Sequence, residues 1–280
     1  MGLKDIFKNA VRGAPSPEEV ARLNSSLFQA IDNNDLGNVI ALLKAGAEPE
    51  ARDRDNNTPL IYAAQNGHMQ IVDHFLSLGV DLTAQNNQGR NALLAALREH
   101  HEEVGIQLIT AGVPVNVQDT ASFTPLYAAA QDGRITVVNF LIAAGAEVDT
   151  ICRDGMTALN WTSSLGHMRV IDALLTAGAN PNIASKDGWT PLMKAVNVVN
   201  KALIQKLFAA PADINAVNNE GHNILDIARI KGNNEIIDIV EKKFAADERA
   251  RYAPIREGSQ RAVKTIKTIS FKNRNTPLGS

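Results

Sequence analysis

Cysteine, aromatic side chains and long apolar runs are all scarce in this chain, and each scarcity removes a class of protein. One cysteine, Cys152, excludes an intramolecular disulfide and fits a reducing compartment; it reads as an ordinary turn residue. Aromatics are 5% of the 280 residues while hydrophobic residues reach 45%, so a core must be built from Leu, Ile, Val and Ala. Asn, Asp, Gly or a charge interrupts every apolar stretch, well short of the roughly 18 residues of a membrane span. The segment Met1 to Phe7 shows no long apolar run ahead of a small-residue cleavage site, so a secretory signal is not expected there. Catalytic patterns are missing as well: there is no His-Glu-x-x-His, no Cys cluster, no Gly-rich phosphate cradle and no nucleophile elbow. His100 and His101 are adjacent, about 100° apart on a helix, and cannot chelate one ion together. Neither enzymatic activity nor a metal or other cofactor is expected.

What is present is repetition. Gly46, Gly79, Gly112, Gly145 and Gly178 are spaced by 33 residues. Leu60, Leu93, Leu126, Leu159, Leu192 and Leu225 form a second comb at 33, and Ala63, Ala96, Ala129, Thr162, Ala195 and Ala228 a third. Such self-similarity signals a stacked array. In residues 55–84, Thr58 reads as an N-cap with Pro59 at the first helical position, where its missing N–H costs nothing. Leu60, Ala63 and Ala64 make one short apolar stripe. Gly67 supplies a left-handed turn, and Ile71, Val72, Phe75 and Leu76 make a second stripe that ends at Gly79. Isolated helices below about 12–15 residues are marginal in water, so each pair must lean on its neighbours.

Thr58-Pro59-Leu60 with Ala63-Ala64, Gly67-His68, Gly79 and Asp81 resembles the ankyrin repeat, as do Thr124-Pro125-Leu126 and Thr190-Pro191-Leu192. The resemblance spans about residues 20–245. It implies an all-α ankyrin-repeat solenoid of stacked helix-turn-helix units with projecting β-turn or hairpin loops. It also implies protein–protein interaction through the face formed by the turn tips and first helices. About seven repeats including caps are expected within 16–252, between an amphipathic N-terminal segment (1–15) and a basic tail (253–280). Ser16-Pro17-Glu18-Glu19 reads as a capping box opening the N-terminal cap. Two repeats depart from the pattern. In the third, Asn91-Ala92 replaces Thr-Pro, His100 stands at a Gly position and Gly105 replaces a core Val or Ile, which makes it the softest joint expected. In the sixth, Val199 and Pro211 occupy the two Gly positions.

The residues before each Thr-Pro and two after each Pro predict a partner surface over repeats four to six: Phe123, Tyr127, Met156, Trp189 and Met193, joined by Arg90 from the third repeat. Trp161, one position further inside its helix, is expected in the core. His68, His101 and His167 fall at the helix turns, where the resemblance implies local hydrogen bonds.

The ends differ in charge. Residues 249–280 hold eight basic side chains and one acid, Glu257, so +7 is set against −9 for residues 1–248 within a net charge of −2. A β-prone stretch there offers Lys264, Ile266, Lys267, Ile269, Phe271 and Lys272 as a docking peptide that orders on binding. With Phe271 the one aromatic among them, nucleic-acid binding is not expected. Leu3, Ile6 and Phe7 lie on one face of an amphipathic helix suited to a membrane surface, a partner groove or the cap of the stack. The reading reached is a cytoplasmic adaptor or scaffold, monomeric on its own. Two alternatives stand beside it: a bacterial effector or toxin-system component with the tail as export signal, and a membrane-peripheral scaffold.

Overall fold

The computed structural model describes residues 15–152 and 154–248. Among them the chain makes seven helix pairs. The first helices are α1 (Pro17–Asp32), α3 (Pro59–Gln65), α5 (Ala92–Arg98), α7 (Pro125–Gln131), α9 (Ala158–Leu165), α11 (Pro191–Asn197) and α13 (Ile224–Lys231). The second helices are α2 (Leu36–Lys44), α4 (Met69–Ser77), α6 (Glu102–Thr110), α8 (Ile135–Ala143), α10 (Met168–Thr176) and α12 (Lys201–Ala209), with helical residues 234–248 completing the seventh pair.

One residue column starts the first helices. Thr58, Asn91, Thr124, Thr157, Thr190 and Asn223 are extended, and each side-chain oxygen accepts from the backbone N–H three residues on. Asn91 therefore caps as a threonine would, taking the Leu94 N–H at 2.9 Å. The expected capping box at α1 is present: Ser16 N–H donates to Glu19 at 2.8 Å, and Glu19 N–H donates to Ser16 Oγ at 3.3 Å.

First helices stack on first helices and second on second, so the apolar stripes merge into one core running from Leu27 to Val240. Leu60, Leu93, Leu126, Leu159 and Leu192 are fully buried, each contributing about 1.5–3 kcal/mol. Leu225, beyond which no further repeat follows among the described residues, is only half-buried. The loops between pairs project as fingers. Asn87 N–H donates to Asp55 O (3.0 Å), Thr120 to Gln88 (2.8 Å), Lys186 to Asp154 (3.0 Å) and Asn219 to Asp187 (3.1 Å), a single rung at each of these four joints. In four of the fingers a short polar side chain folds the turn. Asp53, Asn86, Asp119 and Asn218 each accept from the N–H groups two and four residues on.

The turn between paired helices requires positive φ at one position per repeat. Gly67, Gly133, Gly166 and Gly232 supply it at no steric cost, while Asn34, His100 and Val199 are forced to φ 52°, 68° and 56°. For the β-branched Val199 this is a strained conformation. At the second Gly column, Pro211 cannot reach positive φ, and Ala210 before it is extended. Irregularity in the sixth repeat is therefore located in its two turns.

The third repeat differs from expectation in one respect. Gly105 leaves no hole, because a Cβ built there would lie 2.6 Å from Leu97 Cδ2. Leu97 stands where the other repeats carry Ala64, Ala130, Ser163 and Val196, and its fully buried side chain fills the volume that Val72, Val138, Ile171 and Ile204 occupy elsewhere. The size exchange removes the packing reason for a soft joint.

Candidate functional site

The side chains before each N-cap emerge between a finger and a first helix. Phe123, Met156 and Trp189 are half-buried there, with part of each side chain open to solvent. The other three expected surface residues require correction. Met193 is 0% exposed and Tyr127 5% exposed. Both occupy the helix position whose N–H donates to the N-cap threonine, and that position turns into the seam between first helices. Arg90 is held by the next finger instead of reaching outward, its Nε 3.3 Å from an Asp119 carboxylate that is almost fully buried. The same 29-residue offset joins Asn86 Nδ2 to Asn57 Oδ1 at 2.8 Å, so Arg90 belongs to a polar seam between repeats.

Three residues complete the surface. Arg98, at the end of α5, leans back toward its helix N-terminus, as helical side chains do, and sets its guanidinium 4.5 Å from the Phe123 ring centroid. Phe123 meets Tyr127 edge to face at 5.1 Å, and Tyr127 meets Trp161 at 6.0 Å. Trp161, expected in the core, is instead half-buried and joins this row beside Tyr127. In the sixth repeat Lys194 takes the column position of Trp161 and places its ammonium 5.2 Å from the Trp189 centroid. An aromatic row with a cation at each end thus crosses repeats three to six.

Electrostatics separate its members. Burial lowers the Lys194 ammonium below the usual lysine range, with Asp187 opposing, while burial raises the Tyr127 phenol. Cys152, at the base of the finger that ends at Met156, is a buried thiol pushed up to about 12 and is protonated at neutral pH. Among the described residues no carboxylate pairs with Arg98 or Lys194. Arg98 Nε and Trp161 Nε1 are buried donors without an acceptor there; Asn160 Oδ1 is a buried acceptor without a donor. Asn160 spends its amide hydrogens on Trp189 O (2.6 Å) and Ile183 O (3.3 Å).

His68, His101 and His167 start second helices without capping them through their side chains. His167 Nε2 instead meets Gln131 O of the preceding pair at 3.1 Å, and burial holds His68 below its ordinary value. No group of three or more His, Cys, Asp or Glu converges on a metal-sized space among the described residues, and no helix among them is long and apolar enough to cross a membrane. Leu3, Ile6 and Phe7, and the tail residues Lys264, Ile266, Lys267, Ile269, Phe271 and Lys272, lie outside the described residues.

A family model described as ankyrin repeats in three copies matches residues 27–119, 105–185 and 162–250. The chain belongs to the ankyrin-repeat family. Ankyrin repeats generally serve protein–protein interaction. No curated protein matches this ankyrin chain. Arg98 and Lys194 escaped the sequence reading because ring and cation sit 25 residues apart in one case and five in the other. The available signal was a cation replacing small or neutral residues in a column: Arg98 beside Gln65 and Gln131, and Lys194 beside Ala95 and Ala128.

Proposed function

We propose that this ankyrin stack is a non-enzymatic adaptor that grips one partner protein on its first-helix face over repeats three to six. The observation that carries this reading is the half-open row of Phe123, Met156, Trp161 and Trp189 in a chain with 5% aromatics. Rings held on a rigid scaffold bind at low entropic cost and are typical anchors. The basic segment 253–280 supplies a second contact, supported by its charge, opposite in sign to that of the rest of the chain.

A photoreactive phenylalanine analogue placed at Met156 or Ser164 tests the assignment against one placed at Gln70 or Arg169 on second helices. Partner cross-links from the first two positions and none from the others are expected. Cross-links of equal yield from both faces would refute it.

A further inference from the structure

Resting on that reading, we infer that the partner segment is an extended acidic peptide whose carboxylates pair with Arg98 and Lys194 while its apolar side chains lie on the rings between them. The two cations bracket the row, and neither makes an ion pair with a carboxylate among the described residues, Asp187 acting on Lys194 from beyond ion-pair distance. Each is packed over an aromatic ring, Phe123 or Trp189, so its alkyl stem is fixed and its charge directed. Lys194 is partly stripped of water yet held as a cation, a state that an incoming carboxylate stabilises. A basic peptide would instead set like charge against both cations.

Geometry sets the length. Packed helix axes lie roughly 8–10 Å apart, so three repeat steps from α5 to α11 cover on the order of 25–30 Å. An extended chain rising about 3.3 Å per residue crosses that distance in roughly eight or nine residues. The expected ligand carries an Asp or Glu near each end of such a stretch, with Leu, Phe or Met between them.

The test is selection of a random dodecapeptide library displayed on phage against the full chain. The same selection is run on the Arg98→Gln/Lys194→Gln and Phe123→Ala/Trp189→Ala variants, each first shown to keep its helical circular dichroism. Enrichment of paired acids spaced by apolar residues is expected, with affinity for the synthesised peptide falling about tenfold per cation removed. Arg98→Lys should retain most of that affinity. Enriched peptides without acidic bias, lost in the double-alanine but not in the double-glutamine variant, would overturn the acidic-peptide inference while sustaining the interaction face. Enrichment unaffected by either variant would overturn both. Displacement of the selected peptide by inorganic phosphate as readily as by poly-L-glutamate would show a general anion contact and defeat the peptide assignment.

Discussion

Adding a valine side chain at Gly105 places its Cβ 2.6 Å from Leu97 Cδ2, in a part of the core with no room to yield. Overpacking of this kind costs about 1–3 kcal/mol. Truncating Leu97 to alanine instead removes a fully buried side chain opposite a glycine, which costs about 2–5 kcal/mol because nothing refills the space. Made together, the two changes recreate the Ala64–Val72 and Ala130–Val138 pairs of the neighbouring repeats. The double variant should therefore lie within about 1 kcal/mol of the parent, a coupling of at least about 2 kcal/mol between directly touching residues. Urea unfolding followed by far-ultraviolet circular dichroism gives the four corners of the cycle, and hydrogen exchange across residues 92–110 locates the effect. Additivity within about 0.5 kcal/mol would show that Leu97 does not occupy the space left by Gly105 and that the third repeat is compensated elsewhere or not at all.

Val199→Gly should raise stability by about 1 kcal/mol, since it relieves a β-branched residue at φ 56° that is 37% exposed and gives up little burial; a lower urea midpoint would count against the strain. The reverse change, Gly133→Val, should lose more than that, because a Cβ there also meets the His167 ring at 3.0 Å. Burial raises the Cys152 thiol from 9.0 to about 12 and the Tyr127 phenol above 10.0, so both stay protonated in the fold after they ionise in the unfolded chain. Stability is thus fully present below about pH 9 and declines as pH rises toward 12. Tyr127→Phe should flatten that decline, and a urea midpoint constant from pH 8 to 11 would refute the assignment. Removing residues 253–280 should abolish a second partner contact while first-helix cross-links persist; lost export with intact binding would favour the effector reading instead.

The stack was legible in the sequence because its turns and caps are set by residue type at a fixed spacing. Thr58, Gly67 and Gly79 each name a backbone conformation, and 33-residue recurrence does the rest. The site was less legible because it depends on contacts across repeats. Arg90 looks free along its own column, and only its offset from Asp119 reveals the pair. Tyr127 and Met193 looked like surface anchors on the family pattern, yet the short α7 and α11 turn that position into the seam. Gly105 reads as a defect until it is set beside Leu97, eight residues earlier on the opposite helix of the same pair.

The rungs between fingers also bear on how the molecule responds to tension. Four of the joints are tied at the tip by one backbone hydrogen bond, as at Asn87–Asp55 and Asn219–Asp187, with the rest of the hold spread through side-chain contact. Pulled from its two ends, such an array peels in sequence, each detaching pair paying out 33 residues or roughly 110 Å of thread. A stack built this way lengthens under load in equal strides while the pairs still stacked keep their hold.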